Sequence, residues 1–265
     1  MNAPTTNKVR LNGIELAVHD QGSGNPVLLF LHYWGGSSRT WQMVIQQLSS
    51  THRCVSYDHR GWGESDAPAQ GYGIPDLAAD AEALVRELDL KSYVVVGHSM
   101  GGKVAQLLAS RRPKGLQGLI LVAPASPTPQ NIPEPARYAQ LHAYDNRETV
   151  LQAIAFLTHQ PLDERVREQV IEDSLRGSAP AKLAWPTSGA YEDISGEVVQ
   201  IAVPTLILAG DHDRQDPLEQ QRREVLARIP GATLRVVQDS GHLSPLEQPS
   251  KLAEVIAAFA SGLAR

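Results

Sequence analysis

Cysteine is almost missing from this chain. Cys54 is the only one, so no intrachain disulfide is possible and a thiolate-ligated metal site cannot be assembled. Cys54 sits in an apolar alternation, HRCVSYD, where a packing residue is expected rather than a reactive thiol. Positive charge is not in excess either. Lys and Arg number 24 against 29 Asp and Glu, giving a formal net charge of −5 with the signs mixed along the chain, which leaves no basic patch for nucleic acid. Long hydrophobic runs are lacking: nothing approaches the roughly 18 apolar residues of a membrane-spanning helix. The opening residues, MNAPTTNKVR, carry no apolar stretch suited to a signal peptide. A soluble, cytoplasmic protein is therefore expected. Internal repeats and low-complexity segments are also absent.

What is present is enough apolar material, 42% of 265 residues, for one large core with an inserted subdomain. Short runs rich in Val, Leu and Ile recur at VLLFL (27–31), RCVSY (53–57), YVVVG (93–97), LILV (119–122) and TLILA (205–209). They read as strands buried on both faces, as in a parallel sheet. Helical patterns lie between them, such as 74–90 with apolar residues at spacings of three and four. VRLNG and IELAVHD flank Asn12-Gly13, a two-residue hairpin signal, and predict antiparallel strands at the start.

The alternation stops between about 126 and 200, where prolines cluster at 127, 129, 133 and 135 and helices are expected near 134–144, 148–157 and 162–176. Strand and helix then resume with a helix near 218–228, the strand TLRVVQ and a last helix near 245–259. The reading is an α/β chain in three parts: a first core segment 1–125, a helical cap 126–200 and a second core segment 201–265.

The sharpest chemical signal is VVVGHSMGGKVAQLLA, where a strand runs into Gly97-His98-Ser99-Met100-Gly101 and then a helix. A serine on so tight a turn needs small residues two before and two after it. A serine hydroxyl is a weak nucleophile until a base takes its proton. QDSGHLSPLEQP offers His242 as that base, on a loop between a strand and the last helix. For an acid to orient the base, TLILAGDHDRQDP offers Asp211, Asp213 and Asp216, the last suited to starting a helix with Pro217.

LHYWGGS, YDHRGWGESDAP, VVVGHSMGG, TLILAGDHD and DSGHLSPLEQP together resemble the α/β-hydrolase-fold superfamily along nearly the whole chain. The resemblance implies a mostly parallel eight-stranded sheet flanked by helices, with an inserted helical cap. It implies the chain order serine, acid, histidine, and its strand-G-x-x-D pattern favours Asp213, with Asp211 the runner-up. It implies an oxyanion hole from the backbone N–H groups of Trp34 and Met100. The Asp58–Gly63 turn is expected to be structural, with Arg60 pairing with local carboxylates or carbonyls. One departure stands out: relatives read His-Gly where this chain has His32-Tyr33. Tyr33 is expected either to pack beneath the cap or to line the acyl side of the pocket. His32, His98 and Trp185 are further expected substrate contacts, and Tyr144, His142, Phe156 and Leu157 fall in the cap. Ser126 and Thr128 are expected to border the same cavity.

The resulting expectation is a serine hydrolase for a small carboxylic ester or lactone, with no cofactor and no metal. Serine at the nucleophile position counts against a haloalkane dehalogenase or epoxide hydrolase. The alternatives are a carbon–carbon bond hydrolase or cofactor-free dioxygenase using the same residues, and a ligand-binding receptor with little turnover. The expected partner is a small-molecule substrate, not nucleic acid or membrane, and a homodimer is left open.

Overall fold

β-branched and leucine-rich runs bury both their faces, and that is what builds the centre of the molecule. The computed structural model describes residues 5–263. Its eight strands are β1 (Thr5–Leu11), β2 (Ile14–Gln21), β3 (Val27–Leu31), β4 (Cys54–Tyr57), β5 (Tyr93–His98), β6 (Leu116–Val122), β7 (Thr205–Gly210) and β8 (Thr233–Val237). They form one sheet in the order β1-β2-β4-β3-β5-β6-β7-β8. β1 pairs antiparallel with β2 and β2 antiparallel with β4; every other pairing is parallel. Asn12 (φ 48°) and Gly13 (φ 79°) both take positive φ at the first turn, as a type I′ hairpin requires.

Alternate residues of each central strand serve opposite faces. Leu28, Phe30, Val94, Val96, Ile120 and Leu206 pack with α1 (Gln42–Leu48) on one side, while Leu29, Leu31, Val95, Leu119 and Ile207 pack on the other with α2 (Ile74–Glu87) and α3 (Met100–Ser110). The first side is completed by the long C-terminal helix. The last helical stretch is two helices rather than the one expected near 245–259: Pro249 lacks an N–H and disfavours helical geometry at Gln248 before it.

Between β6 and β7 lie only helices: α4 (Glu134–Leu141), α5 (Arg147–Leu157), α6 (Glu164–Arg176), α7 (Ala179–Thr187) and α8 (Ser195–Val198). Side-chain caps fix several starts. Asn146 accepts from Glu148 N and Thr149 N ahead of α5, and Asp163 accepts from Arg165 N ahead of α6. After β7, α9 (Leu218–Gln220) runs on as a wider π-helical stretch, Gln221–Leu226. The chain closes with α10 (Ser244–Glu247) and α11 (Pro249–Leu263). No described helix is long and apolar enough to cross a membrane.

The inserted helices are tied to the loop after β3 by polar contacts as well as packing. Arg39 bridges Asp173 (2.5 Å) and Glu172 (3.1 Å), Ser37 Oγ donates to Asp173 (2.9 Å), and Ser174 Oγ donates to Gly35 O (2.9 Å). The Asp58–Gly63 turn is held from below. The Asp58 carboxylate accepts from Ser38 N (2.7 Å) and Glu64 N (2.9 Å), and Arg60 pairs with Asp80 through two 2.6 Å bonds.

Candidate active site

The turn from β5 into α3 carries Ser99 at φ 54°, ψ −117°, a backbone conformation that costs a non-glycine residue on the order of 1–3 kcal/mol. The glycines around it have no room for side chains. A Cβ on Gly97 would collide with the carbonyl oxygen of Gly101, and one on Gly101 would lie 2.5 Å from His32 O and 2.7 Å from Leu31 O. That close approach also brings the end of β3 against the start of α3. Among the described residues, the backbone N–H groups of Trp34 and Met100 find no acceptor.

His242 comes from the loop between β8 and α10, and Asp213 from the loop after β7. Ser99 Oγ lies 2.8 Å from His242 Nε2, and His242 Nδ1 lies 2.9 Å from Asp213 Oδ2. Asp213 Oδ1 accepts from Gln215 N and Asp216 N, both at 2.9 Å, which fixes the carboxylate's orientation. With Nδ1–H donated to Asp213, Nε2 is free to accept the serine proton. Burial pulls the His242 pKa down, but Asp213, Asp216 and Glu247 together hold it above the ordinary histidine value.

The histidine loop is gripped by the inserted helices. His242 N donates to Leu157 O (2.7 Å) at the end of α5, and Glu247 accepts from Gly241 N (3.1 Å), His159 N (2.7 Å) and Gln160 N (2.9 Å). Asp211, the other acid considered, accepts from Ser240 N (3.0 Å) and so braces the loop rather than the imidazole. Asp216 does not start the next helix, which begins behind Pro217; it is buried, with Oδ2 3.9 Å from His242 Nδ1. Only its closeness to Asp213 in sequence hinted at this.

A cavity of about 550 Å³ opens over Ser99 and His242. Its walls are mostly aromatic and aliphatic, with Trp34, Tyr144, Phe156 and Trp185 prominent, and His142 and Leu157 also line it. Trp34 and Tyr144 pack with ring centroids 4.3 Å apart, and the Tyr144 hydroxyl donates to Trp34 O (2.8 Å). Tyr33 takes no positive φ, so this turn accommodates its Cβ. Its ring borders the cavity, while its hydroxyl faces Asp173 and Ser174 of α6.

Two expected substrate contacts lie outside this cavity. His32 is buried behind it, donating from Nδ1 to Tyr33 O (2.7 Å) and accepting at Nε2 from His59 N (2.9 Å). Burial drags its pKa down to about 4. His98 donates from Nε2 to His242 O (2.8 Å) beneath the histidine loop. Both side chains are used up in holding backbone. Ser126 and Thr128 border a neighbouring cleft of about 440 Å³ rather than the main cavity, although Phe156 and Gln215 line both. Among the described residues, no group of three or more His, Cys, Asp or Glu side chains is placed to hold a metal ion. The Cys54 thiol is buried and pushed up to about 12 by that burial.

Residues 28–255 match the model of the alpha/beta hydrolase family. The chain belongs to that family. Alpha/beta hydrolases similar to it include the non-heme haloperoxidase of Rhodococcus erythropolis, 27% identical over 87% of this chain and 90% of that protein. Among solved structures, the esterase of Exiguobacterium antarcticum superposes with a TM-score of 0.86 at 25% identity, covering 95% of this chain and 97% of the other. The thermophilic esterase of Thermogutta terrifontis gives 0.82 at 26% identity over 99% of both chains.

Proposed function

We propose that this alpha/beta hydrolase is a serine hydrolase that cleaves a small carboxylic ester or lactone through an acyl-enzyme, with Ser99, His242 and Asp213 as its catalytic triad. The observation that carries the reading is the unbroken line of hydrogen bonds from Ser99 Oγ through both nitrogens of His242 to Asp213, at the floor of a largely apolar cavity. The likeness to two esterases supports it.

In this mechanism Ser99 Oγ attacks the carbonyl carbon as its proton passes to His242 Nε2, and Asp213 stabilises the imidazolium. The N–H groups of Trp34 and Met100 form the oxyanion hole, donating to the oxygen that gains charge. Collapse breaks the C–O bond, and the leaving oxygen takes the proton from His242; in a lactone it stays tethered to the acyl group. Water then attacks the acyl carbon, giving its proton to His242, and Ser99 is released with that proton restored. The inserted helices act as a cap that shapes the acyl and alcohol sides and shields the reaction from bulk water. The substrate is a small, mostly apolar molecule, as the cavity's size and lining suit.

The test combines a panel of short-chain aryl esters and lactones with fluorophosphonate labelling. Wild type is expected to turn over and to label at Ser99, and Ser99→Ala to lose both, with kcat falling on the order of 10⁶-fold as when a paired nucleophile is removed. Folded wild-type protein that neither labels nor turns over would sink the reading. So would oxygen uptake on heteroaromatic substrates that survives Ser99→Ala.

A further inference from the structure

Asp216 was expected to start a helix, yet its carboxylate caps nothing. α9 begins behind Pro217, and Asp216 Oδ1 instead accepts from the side chain of Gln220 (2.8 Å). Oδ2 turns towards the imidazole, 3.9 Å from His242 Nδ1, where Asp213 Oδ2 keeps 2.9 Å. Both carboxylates are almost wholly buried, at 1% and 0% side-chain exposure. Burying a carboxyl without an arginine or lysine in contact is costly, so a fold retains one here only if something offsets the cost.

We propose that Asp216 is a second carboxylate for His242, placed beside Asp213 to share the imidazolium charge and able to accept the Nδ1 proton's hydrogen bond in its stead. The proposal rests on the Ser99–His242–Asp213 reading. Asp216 acts through His242 and is a positioning residue. Moving Oδ2 by about 1 Å, the difference between the two distances, brings it to the separation Asp213 already holds. The charged and titratable groups around it are His242, Asp213 and Lys103, with Glu247 also acting on His242. Burial raises the Asp216 carboxyl to about 7, the nearby charge of Asp213 adds to this, and His242 and Lys103 oppose it. Two carboxylates so close repel when both are ionised. That repulsion is relieved when His242 takes the serine proton, so the pair carries most negative charge at the step that needs it. Lys103, buried on α3 with Nζ donating to Glu192 O (2.6 Å), adds a weaker positive charge, its own pKa being pulled down to about 8 by burial.

The test compares Asp213→Ala, Asp216→Asn and the double variant, using a short-chain aryl ester. Removing the triad acid in a serine protease costs about 10⁴-fold in kcat; here Asp213→Ala is expected to cost only about 10²-fold, with the double variant at least tenfold below it. Asp216→Asn alone is expected to move the acid limb of kcat/KM to lower pH, because a negative charge beside the imidazole is gone. A double variant within twofold of Asp213→Ala would overturn the proposal. If Asp213→Ala does not fold, Asp213→Asn keeps an Oδ1 acceptor for the Gln215 and Asp216 amides and goes through the same comparison. Fluorophosphonate labelling of wild type separates the two levels: without labelling the triad reading fails, whereas labelling with no coupling between Asp213 and Asp216 sinks only the second carboxylate.

Discussion

Ser99 sits at a positive φ that its side chain disfavours, and the surrounding glycines are what make room for it. The turn places Oγ 2.8 Å from His242 Nε2, so in the proposed mechanism the serine is positioned before substrate arrives. At the same scale, the histidine's environment sets the pH response. Asp213, Asp216 and Glu247 outweigh burial and raise its pKa, so kcat/KM is expected to fall on acidification with a limb above the ordinary value of about 6.5. A pH profile with its acid limb at or below that value would contradict the arrangement. Tyr33 borders the cavity, and its hydroxyl is turned to Asp173 and Ser174 of α6. Tyr33→Ala is therefore expected to raise the ratio of kcat/KM for long over short acyl chains severalfold; an unchanged ratio across a chain-length series would show that the ring does not limit the acyl side.

Elements decide how that residue geometry is kept. β5 and α3 supply the serine turn, but the histidine loop has only a short strand and a one-turn helix on either side of it. Its rigidity is borrowed from α5, through His242 N to Leu157 O, and from Glu247, which gathers three backbone N–H groups from the loop and the α5–α6 connection. Glu247→Gln replaces one acceptor oxygen with a donor facing N–H groups. We expect it to cost about 0.5–1.5 kcal/mol of stability, the usual net worth of a hydrogen bond, since these donors are exposed or half-buried. It should also lower kcat more than it raises KM and shift the acid limb downward, since one charge that raises the His242 pKa is gone. Urea denaturation and a pH–rate profile would check both parts, and a change confined to KM would contradict the clamp. The hold of the inserted helices on the β3–α1 loop, Asp173 on Arg39 and Ser174 on Gly35, works similarly, fixing the segment that carries the Trp34 N–H.

Across the whole molecule, three histidines, His32, His59 and His98, are buried neutral beneath the site, with pKa values pulled below the ordinary one chiefly by burial. Each binds a proton more readily in the unfolded chain. Stability is therefore expected to fall as pH drops below about 6.5, by up to about 1.4 kcal/mol per pH unit for each such histidine. His242 works the other way. Its raised pKa adds stability that is fully present below the unfolded value and lost as pH rises through the folded one, so it offsets part of the loss. Urea midpoints measured from pH 7 down to pH 5 should decline; a flat profile would mean these imidazoles are not neutral and buried in solution.

The sequence by itself determined the pieces with local signatures. Apolar runs of five residues, a hairpin at Asn12-Gly13 and a serine flanked by glycines are each set by short-range sterics and burial, and the sheet, first turn and the Ser99 turn follow from them. The single-helix expectation at the C-terminus failed for a local reason too, since Pro249 breaks it, and α7 went unread because its Pro186 masks a helical pattern. Tertiary structure alone decided what distant segments do to one another. Choosing among three aspartates within six residues depends on which carboxylate meets an imidazole 29 positions away, and only the folded chain puts Asp213 at 2.9 Å and Asp216 at 3.9 Å. His32 and His98 carry the same side chain as His242 and also sit close to the Ser99 turn. What assigns them to holding backbone is burial and the direction of their ring nitrogens, properties that arise only when the sheet, the turns and the inserted helices close around them.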